Sequence, residues 1–378
     1  MRRARPGRRR TEPGRCPLSR PRSRWSLALW TALGLLLASE IGLRVLTDYN
    51  SRWNMRLGAH KQFDPVVQFR NKPFYDWGNG IRTNEYGYQA PQPLSVKPPP
   101  GVLRILYLGD SITVTPLVGA YPQQVEPMLR EALGVGVETV NAAVPGYSSQ
   151  NARLLFENEL SRFDAQYFVV YLGWNDLGQF GPEGLPYKLD AAGYHLSPLQ
   201  RLLTNIYSIR FLYAAQRVLA HSRGAVSHPM SPADQALYDR YVPTHFYDNL
   251  RAILKLAKSR YPNVYIMNLA TITNDDPTEW ELRTAHFPVG MDENMHKLNV
   301  LVGKYNQAVQ RVAAEEGVPM IDLYDRFDSR EARQYFTDSC HMNRDGASVI
   351  AHALVDAIRV REAQSPSVPG EVVGSATN

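Results

Sequence analysis

The chain has 378 residues, 44% hydrophobic and 21% charged, a composition that fits one large or two smaller globular domains and excludes a fibrous or wholly disordered chain. Its net charge of +6 sits at one end: residues 1–24 hold ten Arg and one Glu, and the remainder carries 32 basic against 35 acidic side chains. A mildly acidic body gives no ground for nucleic-acid binding, and two isolated cysteines, Cys16 and Cys340, make neither a disulfide nor a metal framework.

Residues 1–24, rich in Arg and Pro and poor in apolar side chains, read as a disordered basic tail. The uncharged run 25–39 follows, and Glu40 and Arg44 then stand one helical turn apart. Extended to Leu46, the segment has 22 residues, near the ~20 that a bilayer requires, so 25–46 is expected to be a transmembrane anchor. The preceding arginines predict a cytoplasmic N-terminus, with the body on the extracytoplasmic side of the cell membrane. A cleaved signal peptide shares the same pattern, but no A-x-A site follows the apolar run. Residues 47–100 are rich in aromatics and turn formers and end in "KPPPG". They are expected to form an irregular arm and stiff linker packed on the main domain.

From 103 onward, short apolar runs alternate with longer amphipathic ones. Strand-like 103–108, 137–144, 165–173, 263–270 and 318–323 are separated by helix-like 121–134, 149–163, 247–261 and 295–317, and a last helix covers 343–360. Continuous apolar strands between such helices predict an α/β fold: a doubly wound parallel sheet of about five strands over 101–362. Residues 178–240 break the rhythm and read as an insertion that covers or borders the site, and 363–378 read as a disordered tail.

In an open parallel sheet, ligands bind beyond the carboxyl ends of the strands. The first strand delivers Gly109, Asp110 and Ser111 there, the second Gly146, and the third Gly173, Asn175 and Asp176; the segment after the fifth delivers Asp338 and His341. These are the parts of acyl-transfer chemistry. Ser111 is a nucleophile once His341 takes its proton, and Asp338 holds the other imidazole nitrogen. The Asn175 amide and the backbone N–H groups of Ser111 and Gly146 are donors for an oxyanion. Asp110 and Asp176 read as turn or cap residues. The other histidines show no metal-ligand spacing, so neither metal nor cofactor is expected. Cys340, one residue from His341, is too close in sequence to use it as a base and reads as a packed thiol.

The ordered set GDS (109–111), Gly146, GxND (173–176) and DxxH (338–341) resembles the SGNH, or GDSL-type, hydrolase superfamily, whose four letters fall here on Ser111, Gly146, Asn175 and His341. The resemblance runs from about 103 to 358. It implies a flavodoxin-like three-layer fold, no metal, and hydrolysis of esters, often acetyl groups on sugars. The basic start, the apolar segment closing on Glu40 and Arg44, and the "RTNEYGY" arm are similar to membrane-anchored bacterial members that accompany cell-surface polysaccharide metabolism. One departure is the lack of a glycine just after "GDSIT", which predicts a stiffer turn there. The expectation is a membrane-anchored serine esterase acting on an acylated small molecule or carbohydrate. An O-acetyltransferase shares every one of these residues, and a silent carbohydrate-binding or scaffold protein shares the fold.

Overall fold

The computed structural model describes residues 22–46, 60–78, 80–178, 225–288, 291–327 and 331–364. The expected N-terminal helix forms as α1 (Arg22–Leu46), and Leu27, Leu29, Trp30, Leu33, Leu36 and Ile41 on it are all exposed. Side chains of α1 are described over 26–42 only, and among the described residues no helix is long and apolar enough to cross a membrane.

The arm is more regular than expected. It folds into two antiparallel hairpins, β1 (Lys61–Asp64) with β2 (Gln68–Asn71) and β3 (Asp76–Gly78) with β4 (Ile81–Arg82). Arg70 fixes the first hairpin to the body by reaching Asp64 at 2.7 Å and Glu159 at 3.0 Å, and the Tyr88 hydroxyl donates to the same Glu159 at 2.6 Å.

The domain is built on β5 (Val102–Gly109), β6 (Gly136–Asn141), β7 (Tyr167–Tyr171), β8 (Asn263–Met267) and β9 (Met320–Ile321), one parallel sheet in the order β6-β5-β7-β8-β9. In β5 every residue after Val102 is buried, and so is all of β7, which is why these strands read as unbroken apolar runs. Helix α2 (Ser111–Val114) is a single turn after β5. It is followed by α3 (Tyr121–Leu133), α4 (Ser149–Asn158), α5 (Pro232–Arg240), α6 (Thr244–Arg260), α7 (Glu279–Thr284), α8 (Met295–Glu316) and α9 (Arg344–Gln364). Helix α9 packs on α3, while α4 packs on α6 and α6 on α8, giving helical layers that sandwich the sheet. The expected three-layer α/β architecture is therefore present.

The last residues of the expected second, third, fourth and fifth strands leave the ladder and become loops. Val144 stays tied to the first strand by donating its N–H to Gly109 O at 3.2 Å. Of the expected insertion 178–240, residues 179–224 lie outside the described residues, as do the basic tail up to 21 and the tail beyond 364; α9 itself runs two residues past the expected boundary at 362. Strand β5 turns away from β6 to one side and β7 to the other, so the topological switch point, where crevices open in such sheets, falls at its carboxyl end.

Candidate active site

Strand β5 delivers Ser111 to that switch point through a turn only glycine permits. A Cβ on Gly109 would lie 2.2 Å from Thr113 Oγ1 and 3.1 Å from the Tyr171 carbonyl. Asp110, fully buried, caps α2 by accepting the Ile112 N–H at 2.9 Å. The cap role open to Ser111 is thus taken by its neighbour, and Ser111, as the first helical residue, keeps an N–H with no acceptor inside the helix.

The Ser111 hydroxyl meets His341 across the crevice, with Nε2 2.8 Å from Oγ. On the far side of the ring, Nδ1 lies 2.8 Å from Asp338 Oδ2, while Asp338 Oδ1 accepts the backbone N–H groups of Cys340 at 2.9 Å and His341 at 2.7 Å. Burial alone would raise the Asp338 pKa, but the hydrogen bond and charge of His341 and the two backbone donors outweigh it and hold the carboxyl at about 2. For His341, burial works downward and is outweighed by the bond to Asp338 and the charges of Asp338 and Asp110, so its pKa rises above the ordinary histidine value. An ionised Asp338 fixes the proton of the neutral imidazole on Nδ1 and leaves Nε2 free to accept from Ser111. The loop is anchored from behind: Ser339 O accepts from Thr271 Oγ1 at 3.0 Å, and Ser339 Oγ accepts from the His286 N–H at 2.9 Å.

The expected oxyanion donors come from the neighbouring strand ends. Gly146 has φ +88°, a left-handed conformation that glycine adopts without strain, and its N–H makes no backbone hydrogen bond among the described residues. Asn175 Nδ2 donates to Asp110 Oδ2 at 3.1 Å, so the residue capping α2 also holds the Asn175 amide. Asp176 accepts from the Ser149 N–H at 2.9 Å and from Ser149 Oγ at 2.5 Å, which locks the loop carrying Gly146 to the loop carrying Asn175. Burial, the largest cause in each case, pushes the Asp110 pKa up to about 6 and that of Asp176 up to about 7. Asp176 is structural, as its sequence context suggested. The grip of Asp110 on Asn175 was not foreseen, because nothing in "GDS" states what the second carboxylate oxygen meets.

Asp338, Cys340 and His341 bring potential metal-ligand atoms within 4.8 Å of one another. Both imidazole nitrogens already have partners in Asp338 and Ser111, and burial, with the charges of Asp338 and Asp110, pushes the Cys340 thiol well above its ordinary pKa, away from the thiolate a metal prefers. These donors suit proton transfer better than coordination. A separate cleft of about 650 Å³, lined by Lys97, the prolines 98–100, Leu133 and Glu362, lies at the amino end of β5, remote from Ser111.

The sequence profile of the GDSL-like lipase/acylhydrolase family matches residues 107–349, from within β5 to within α9, and takes in all of these blocks. The chain belongs to that family. Membership makes it a hydrolase of ester bonds by class. No curated protein matches the chain. Among solved structures it is similar to a lipase/acylhydrolase from Enterococcus faecalis, at 16% identity and a TM-score of 0.40, covering 68% of this chain and 96% of that one. An acetylxylan esterase from Geobacillus stearothermophilus gives 16% identity and 0.39, covering 68% and 94%. An α/β hydrolase from the metagenome of Lake Arreo, Spain, gives 16% and 0.41 over 68% and 94%. These likenesses are too distant to inform on the substrate of this GDSL-like hydrolase.

Proposed function

We propose that this hydrolase is a serine esterase that removes O-acyl groups, acetyl above all, from a cell-surface carbohydrate through an acyl-enzyme on Ser111. The observation that carries the reading is the continuous chain Asp338–His341–Ser111, with 2.8 Å at each imidazole nitrogen. As Ser111 Oγ attacks the acyl carbonyl, its proton passes to His341 Nε2, and Asp338 stabilises the imidazolium. The N–H groups of Ser111 and Gly146 and the Asn175 amide receive the negative charge on the carbonyl oxygen. His341 then gives its proton to the departing alcohol. A water, deprotonated by the same nitrogen, splits the ester on Ser111 and restores the hydroxyl.

The reading predicts that the full-length chain in detergent is labelled by a fluorophosphonate and turns over 4-nitrophenyl acetate faster than longer acyl esters. Ser111→Ala abolishes both labelling and turnover. A parent that neither labels nor hydrolyses any ester would overturn the proposal. We further propose that α1 holds the protein at a cell membrane, with the basic tail in the cytoplasm and the domain outside. Supporting this are the apolar side chains of α1, exposed all round it, and the ten arginines before it. Glu40 then reaches the headgroups from the end of the helix. Release of the chain from membranes by alkaline carbonate alone would count against it.

A further inference from the structure

Hairpin β1–β2 is built onto the loop that carries Gly146. The Tyr147 hydroxyl donates to Phe69 O at 2.7 Å, Asn71 Nδ2 to Ala143 O at 3.1 Å, and Asn151 Nδ2 to Val67 O at 3.0 Å. This places one particular cation of the arm at the site. Lys61 Nζ lies 3.3 Å from where a Cβ on Gly146 would stand and 4.7 Å from the centre of the Phe69 ring.

The two hairpin arginines have acidic partners: Arg70 has Asp64 and Glu159, and Arg82 has Asp76. Among the described residues no carboxylate pairs with Lys61. Burial, with no anion to offset it, draws its pKa down to about 8, and the adjacent His60, whose pKa burial and the two lysines Lys61 and Lys72 lower to about 4, offers no negative charge either. A half-buried ammonium without a counter-ion is unfavourable unless something else brings the anion. The ammonium thus stands beside Gly146, whose N–H is one of the proposed oxyanion donors.

We infer that Lys61 is a specificity-determining residue that pairs with a single negative charge on the acylated substrate beside the scissile ester, so that acidic carbohydrate esters are preferred over neutral ones. The inference rests on the esterase reading for its substrate but on the arm's geometry for its residue. Lys61 takes no part in the proton transfers.

The test compares kcat/KM of the full-length chain on acetylated galacturonate, acetylated galactose 6-phosphate and acetylated galactose, for the parent, Lys61→Met, Lys61→Arg and Lys97→Met. The parent is expected to prefer at least one anionic ester, and the better of the two identifies carboxylate or phosphate as the group bound. In Lys61→Met the anionic-to-neutral ratio falls about tenfold, mostly through KM, the scale of one charge pair near a protein surface. Lys61→Arg keeps the ratio, and so does Lys97→Met in the remote cleft. A parent without anionic preference, or an unchanged ratio in Lys61→Met, overturns the inference. If the parent hydrolyses none of these three esters, fluorophosphonate labelling decides the esterase reading separately, and calorimetry with galacturonate on Ser111→Ala decides the role of Lys61. Binding that weakens about tenfold on adding Lys61→Met sustains it, and equal binding or none overturns it.

Discussion

Asp338 and His341 raise a matched pair of demands at the scale of single residues. The ionised carboxylate stabilises the imidazolium, and the same stabilisation moves the titration of the base to higher pH. The acid limb of kcat/KM is therefore expected above the ordinary histidine value of about 6.5, because only neutral His341 accepts the serine proton. Asp338→Asn removes the anion, so the limb moves to lower pH while kcat falls about 10³–10⁴-fold. A pH–rate profile checks both, and a limb that stays in place would show that Asp338 does not act on His341. Asp110→Asn makes a subtler change. The new amide still accepts from Ile112 but presents a donor to the Asn175 amide, itself a donor at that contact. Asn175 then swings away, and kcat is expected to fall about 100-fold with little change in KM, the scale of one lost oxyanion donor.

Single elements place these residues, and the arm is the one whose role the chain's pattern concealed. It read as irregular because its strands are two to four residues long and its burial alternates poorly. What orders it is contact with the domain at both ends of the sheet. At the amino end, Arg104 is fully buried, pairs with Glu138 on β6, and donates to Ser95 O at 2.9 Å, Val96 O at 3.1 Å and Asp164 O at 3.2 Å. At the carboxyl end, Tyr147 reaches back to Phe69. Tyr147→Phe leaves the half-buried Phe69 carbonyl without this donor, at a cost of about 1 kcal/mol. Faster amide exchange confined to β1 and β2, with a lowered esterase rate, is the expected readout. Unchanged exchange there would mean that the hairpin is held by its other contacts alone.

For the whole molecule, the two buried carboxyls at the heart of the site oppose stability as they ionise. A carboxyl whose folded pKa is raised binds its proton more tightly folded than unfolded. Its contribution is therefore present below about pH 4, the unfolded value, and is lost as pH rises to the folded value. For Asp176 that window ends at about 7, so Asp176→Asn should gain thermal stability relative to the parent as pH rises from 4 to 7 and level off beyond. Melting curves across that range check it, and a constant difference between the two proteins would refute it. The strand-and-helix alternation, the parallel sheet and the four blocks at strand ends were legible in the sequence, because buried strands and loop-borne polar residues leave local patterns. The expected span over 25–46 rested on apolar length alone, and among the described residues no helix meets it. By itself the sequence determined which residue types the crevice holds and hence the family's chemistry. Only the tertiary structure decided that Asp110 grips Asn175, that Asp176 ties two loops together, and that Lys61 stands over Gly146. Those contacts join residues far apart in the chain, and their geometry depends on packing that no local periodicity encodes.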